Sequence, residues 1–265
     1  MTGGPGARAV YLDLDGTLLG PGGCLLRAGD GAFTHDGVRA LELLHAAGVP
    51  VILTSGRSAL RLEAVRAAVG ADAVLPEMGA LDAGYPTAPG QSVFEAIAAT
   101  GVPGALLEAE PGLWEHLPAR PGRQGGHVFA GAVGPHAYAL VERLSGGALR
   151  LADNGRIGEG VHVFHLIPAN ASKANAVARD VAARGCDAAR CLAVGDSLQD
   201  LDMGMAVGAV AIVANGADAD PALADAAPWI TRGSHGAGVL EAVGAWIEGR
   251  VPPPRAGRSQ AGGGR

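Results

Sequence analysis

Lysine is almost missing from this chain. Of its 20 basic residues, 19 are arginine and one, Lys173, is lysine. Aromatic residues make up 4% of the 265 positions, so Ala, Val and Leu have to fill any core. The three cysteines, Cys24, Cys186 and Cys191, stand at no zinc-binding spacing and are too few for a disulfide framework. A reduced, cytoplasmic setting is therefore expected. No run reaches the ~18–20 apolar residues that a membrane span needs, so no membrane partner is expected. The first residues, "MTGGPGARAV", carry no basic stretch followed by an apolar one, so no secretory leader is expected either. A formal net charge of −6 leaves no basic footprint for nucleic acid.

What is present is a chain that is 48% hydrophobic and rich in glycine, with 43 of them. Its periodicity falls into three parts. Ala9–Leu14 reads as a short buried strand, followed by a glycine-rich excursion and a helix over "THDGVRALELLHAAG", with Val38, Leu41 and Leu44 as its inward stripe. Val49–Thr54 is a second buried strand. The helix "SALRLEAVRAAVG" follows, with Leu60, Val65 and Val69 inward, and then a third strand ending near Glu77. Buried strands alternating with helices predict a parallel sheet with right-handed crossovers.

The rhythm then breaks. Helices near Val93–Ala99 and Pro135–Leu144, and strands near His127–Val133 and Val161–Ile167, read as a separate small α+β module. His162 and His165 stand three apart on the last of these strands, so they should face opposite sides as structural or surface residues. The alternation resumes with "SKANAVARDVAARG", capped by Ser172, the strand "RCLAVGDS", the helix "LQDLDMGMAVG" and the strand "AVAIVANG". The expected fold class is α/β, a Rossmann-like three-layer α/β/α core with a parallel sheet plus an inserted α+β module. The expected boundaries are 8–82 and 171–250 for the core and 83–170 for the insert, with flexible termini at 1–7 and 251–265.

In an open parallel sheet the chemistry collects beyond the carboxyl ends of the strands. The first strand delivers Asp13 and Asp15 there, in "VYLDLDGTLLG". The second delivers Ser55, Gly56 and Arg57, and "RCLAVGDS" delivers Asp196, with Asp200 one turn into the next helix. Lys173 stands in the first turn of the helix before it. That is a poor place for a cation because the helix dipole is positive there, and a nearby anion would explain it. Converging carboxylates repel unless a hard cation joins them, and oxygen ligands with room for water suit Mg²⁺. Mg²⁺ with a lysine and the Ser55 hydroxyl makes a site for a dianionic phosphate, to which backbone N–H groups around Asp15 and Gly16 could also donate. One carboxylate could then attack phosphorus while a second carries protons. The spacing fits neither an EF-hand loop nor a P-loop.

"DLDGT", the serine of "ILTSGR", Lys173 and "GDSLQD" resemble, in order, the four motifs of the haloacid-dehalogenase-like hydrolase superfamily. The insert between the second and third motifs resembles that of the type IIB, Cof-like branch with an α/β cap, which includes sugar-phosphate phosphatases and phosphomannomutase. The resemblance implies a phosphatase that works through an aspartyl-phosphate. It makes Asp13 the nucleophile and a Mg²⁺ ligand, and Asp15 the acid/base with its backbone carbonyl on the metal. Ser55 and Lys173, with Gly16 and Gly56, would hold the phosphoryl group, and Asp196 and Asp200 would complete the metal site. The implied substrate is a small phosphomonoester, a sugar phosphate or a phosphoglycolate-like acid, and the implied assembly is a monomer or homodimer. A phosphomannomutase-like mutase and a catalytically silent phosphometabolite-binding protein are the alternatives. The sequence departs from the branch at Gln199, where many members have Asn, and in "EMG", which leaves Glu77 a weak candidate. His116, Arg120, Arg123 and His127 of the insert are polar candidates for reading the substrate, with surface charge the competing explanation.

Overall fold

The computed structural model describes residues 7–252. Apart from Ala7, Val251 and Pro252, the termini read as flexible lie outside the described residues. In chain order the strands are β1 (Val10–Asp13), β2 (Val51–Thr54), β3 (Ala73–Leu75), β4 (Leu113–Glu115), β5 (His127–Gly131), β6 (Leu149–Gly158), β7 (Val161–Pro168), β8 (Leu192–Gly195) and β9 (Ala209–Ile212). The chain divides into two compact units, residues 1–51 with 181–265, and residues 52–180.

In the first unit β8 lies between β1 and β9, parallel to both. Val10 pairs with Leu192, and Gly195 pairs with Ile212. All four residues of β1 and of β8 are buried, as strands covered on both faces must be. The helix Asp36–Ala46 buries Gly37, Ala40 and Leu44, while Val38 is exposed. The inward stripe is therefore shifted from the one that hydropathy predicts. The cause is a glycine crossing: a Cβ on Gly236, in the helix His235–Ile247, would lie 2.7 Å from the Gly37 nitrogen. Two backbones that close leave the interface to glycine and send Val38 to solvent.

In the second unit β2 and β3 are parallel, with Ile52 opposite Ala73 and Thr54 opposite Leu75. The helix Ala59–Val69 points Leu62 inward and leaves Leu60 exposed, a correction of the expected stripe. The third strand ends at Leu75, two residues before Glu77. Glu77 and Met78 have φ values of 52° and 57°, in the left-handed region that closes a strand.

The rest of this unit is an antiparallel sheet in the order β4-β5-β7-β6. Its Phe129, Leu151, Phe164 and Leu166 form one core with Ile97, Leu106 and Val141 of three helices, Val93–Ala99, Val102–Ala109 and His136–Ser145. The helix Val102–Ala109 and the strands β4 and β6 are absent from the sequence reading. β6 reads "LRLADNGRIG", poor in strand formers, and it is held as a strand by pairing along β7. Parallel strands with helices, beside a separate antiparallel sheet, are the fold class expected from the sequence.

Candidate active site

Three carboxylates meet in the first unit. Asp13 closes β1, Asp196 follows β8, and Asp200 lies on the helix Leu198–Leu201. One oxygen from each lies within 4.8 Å of the others, although 183 positions separate Asp13 from Asp196. Asp13 is 4% exposed and Asp200 is fully buried.

Glycine lets this cluster form. A Cβ on Gly16 would lie 2.1 Å from Asp196 Oδ2, one on Gly195 2.0 Å from the Asp200 Cβ, and one on Gly216 2.3 Å from the Asp196 carbonyl oxygen. Gly16, with φ 84°, is also in the left-handed region. The Thr17 hydroxyl donates to Asp196 Oδ1 at 3.2 Å. Asp200 does double duty. With Ser197 it forms a capping box, its Oδ2 accepting from the Ser197 N–H at 3.1 Å and from the Ser197 hydroxyl at 2.5 Å. The helix-charge role that a carboxylate serves there is thus real, and it coexists with the cluster. Oxygen donors from three carboxylates, gathered where glycines leave no room for larger side chains, fit a hard divalent cation such as Mg²⁺.

Asp15, two residues past Asp13, is exposed and forms an isolated bridge with Leu19. The loop that carries it is pinned from behind by residues the sequence did not single out. The Gly16 carbonyl accepts from Asn215 Nδ2 at 2.8 Å, and His235 Nδ1 lies 2.9 Å from it. Asn215 Oδ1 in turn accepts from the His235 backbone N–H at 2.9 Å, and His235 has a φ of 51°. Asn215 stands just beyond β9, and that position at a strand end is the one signal that could have found it.

Ser55, Gly56, Arg57 and Lys173 belong to the second unit. Ser55 is buried at the end of β2, and its Oγ accepts from the Arg57 N–H at 3.2 Å. Lys173, 4% exposed, opens the helix Lys173–Arg184, and the Ser172 hydroxyl accepts from the Asn175 N–H as an N-cap should. A buried ion pair lies close by in the fold. Arg123 Nη1 is 3.3 Å from Glu77 Oε2, with the two side chains 2% and 0% exposed. The same carboxylate accepts from the Gln124 and Gly125 N–H groups, while Arg123 donates through Nη2 to the Gly56 carbonyl. Burial pushes the Glu77 carboxyl up, and Arg123 with those N–H groups opposes the shift.

Two of the four polar candidates of the insert are thus used within the protein. Arg123 belongs to this ion pair. His127 is buried, its Nε2 lies 3.1 Å from the Phe94 carbonyl, and its ring stacks on Phe94 at 3.9 Å. Arg120 sits 3.6 Å from Glu115 at the surface. His116 and Arg120, with Phe94, Glu115, Arg123 and Val128, line a shallow open depression. His162 and His165 do face opposite sides: His162 is at the surface, 2.8 Å from Asp153, and His165 is buried.

Residues 154–243, which include Lys173, Asp196 and Asp200, match the family model of the haloacid dehalogenase-like hydrolases. No curated protein matches the sequence. Among solved structures, a haloacid dehalogenase-like hydrolase from Bacteroides thetaiotaomicron is similar with a TM-score of 0.63 at 17% identity, over 90% of this chain and 98% of that one. The sucrose-phosphatase of Synechocystis, solved with sucrose and phosphate, gives 0.61 at 18% identity over 91% and 98%. A sugar phosphatase of haloacid-dehalogenase subclass IIB gives 0.59 at 14% identity over 92% and 100%. By sequence over residues 154–243 the chain matches the haloacid dehalogenase-like hydrolases, and over about nine-tenths of its length it shares its fold with solved structures of that kind.

Proposed function

We propose that the protein is a Mg²⁺-dependent phosphatase that hydrolyses a small phosphorylated metabolite through an aspartyl-phosphate on Asp13. The observation that carries this reading is the convergence of Asp13, Asp196 and Asp200. The similarity to a sucrose-phosphatase and a subclass IIB sugar phosphatase supports it.

In this reading Asp13, Asp196 and Asp200, with the Asp15 carbonyl, hold the cation. Mg²⁺ bound there would neutralise the carboxylates and draw charge from the phosphoryl oxygens. Ser55 and Lys173 hold the phosphoryl group, helped by backbone N–H groups at Gly16 and Gly56. An Asp13 oxygen attacks phosphorus, the ester oxygen leaves, and Asp15 gives that oxygen its proton. Asp15 then takes a proton from water as the water oxygen attacks phosphorus. Phosphate departs and Asp13 is restored. The pinned Gly16 carbonyl fixes the peptide between Gly16 and Thr17, one residue beyond Asp15, and so braces the loop that carries the proton carrier. Residues 83–170 serve as the substrate-selecting cap, inserted between core segments 8–82 and 171–250.

A panel of phosphoesters with Mg²⁺ tests the reading. Phosphate release that EDTA abolishes supports it, and release of none from any ester overturns it. Isomerised hexose phosphate in place of free phosphate would identify a mutase.

A further inference from the structure

The antiparallel sheet of the second unit is covered by helices on one face only. That face carries Phe129, Leu151, Phe164 and Leu166 into the apolar core. Side chains alternate along a strand, so Arg150, Ala152, His165 and Ile167 fall on the other face. Ala152 and Ile167 pack there with Met78 and Ala80 of the segment after β3. Between them stands His165, only 2% exposed, whose Nδ1 meets no hydrogen-bond partner among the described residues. A bare ring nitrogen in such a place is costly to keep.

What His165 faces is the loop after β2. A Cβ on Gly56 would lie 3.0 Å from His165 Cε1, 3.1 Å from its Nε2 and 3.3 Å from Asn154 Nδ2. An imidazole and a carboxamide therefore lie against the bare glycine next to Ser55. All of these residues belong to the unit 52–180.

We propose that His165 and Asn154 form the subsite for the leaving group, and that they read hydroxyl groups, so that the substrate is a sugar or polyol phosphate and not a phosphorylated carboxylic acid. The inference rests on Ser55 and Lys173 holding the phosphoryl group. With the phosphoryl group beside Ser55 and Gly56, the alcohol it is esterified to comes next to these two side chains.

The choice of hydroxyls over a carboxylate follows from what the two arginines that bear on His165, Arg123 and Arg150, already do. A carboxylate is read by a guanidinium fork. The fork of Arg123 is committed to Glu77, the Gly56 carbonyl and the Ala119 carbonyl. Arg150 sends Nε and Nη2 to the Ala171 carbonyl at 3.0 and 2.7 Å. Burial, together with the charges of Arg123, Lys173 and Arg150, holds the His165 ring well below the usual histidine range, and so neutral. A neutral imidazole offers one donor and one acceptor, and a carboxamide offers both kinds as well. That set matches hydroxyls.

The test compares hexose 6-phosphate, p-nitrophenyl phosphate, whose leaving group has no further hydroxyl, and phosphoglycolate. The wild-type protein is expected to have a higher kcat/KM on hexose 6-phosphate than on phosphoglycolate. His165→Ala and Asn154→Ala should each lower the ratio of kcat/KM for hexose 6-phosphate to that for p-nitrophenyl phosphate by about tenfold or more, and His165→Gln should recover part of it. Asn154 is exposed, so its variant carries the test where His165→Ala fails to fold. An equal fall on both substrates, an unchanged ratio, or a preference for phosphoglycolate would overturn the subsite and leave the phosphatase reading standing. No turnover of any ester by the wild-type protein would overturn both.

Discussion

Two groups of buried charge in this protein are built in opposite ways. In the unit 52–180, Glu77 and Arg123 face each other, and backbone N–H and carbonyl groups complete both partners. In the other unit Asp13, Asp196 and Asp200 are gathered with like charges together. A carboxylate set against a guanidinium joins the segment after β3 to residues 119–125 and needs nothing from outside. Three carboxylates within 4.8 Å repel one another, and a fold keeps such an arrangement for what it can bind. Burial alone does not mark function here; the sign of the neighbour does.

The sharpest way to break this comparison is to remove one charge from each group. Asp13→Asn keeps the shape of the side chain and removes the proposed nucleophile. Phosphate release should fall by at least ~10³-fold while circular dichroism stays unchanged, and a rate within tenfold of wild type would refute the assignment. Glu77→Ala leaves Arg123 buried without its partner, and urea unfolding should show a loss of about 3–5 kcal/mol. Asp196→Asn should do the reverse in metal-free protein. Relief of like-charge repulsion raises stability by about 1 kcal/mol in the same measurement, even as activity is lost.

A further effect concerns pH. Burial holds both His127 and His165 below the ordinary histidine range; the Phe94 carbonyl opposes the shift at His127, and the positive charges of Arg123, Lys173 and Arg150 add to it at His165. Such a base binds its proton more weakly when folded than when unfolded. Its contribution is therefore fully present above the unfolded value near 6.5 and is lost as pH falls below it, by up to about 1.4 kcal/mol per pH unit for each group. Urea unfolding between pH 7 and 5 should show this slope, and it should be shallower in His165→Gln.

The residues that end strands were legible in the sequence, because a buried apolar run that stops at Asp13, Ser55 or Asp196 announces both the strand and its end. Lys173 stood out because it is the sole lysine. The support behind these residues was not legible. Asn215 and His235 reach the Gly16 carbonyl across 199 and 219 positions, and nothing local in "VANG" or "GSHG" predicts that meeting. Val38 misled for a similar reason. Its helix stripe is decided by a glycine crossing with a helix near the other end of the described chain, so hydropathy within "THDGVRALELL" could not set it. β6 was invisible because its strand character comes from β7, and not from its own residues.

The three carboxylates are proposed to form a cation site that serves catalysis, and Mg²⁺ binding to them can be read directly. This is tested by titrating Mg²⁺ into the metal-free protein and following the thermal unfolding midpoint, for wild type and Asp196→Asn side by side. The midpoint should rise with Mg²⁺ in the wild type and move little in Asp196→Asn. A wild-type midpoint indifferent to Mg²⁺, or an equal rise in both proteins, would contradict it.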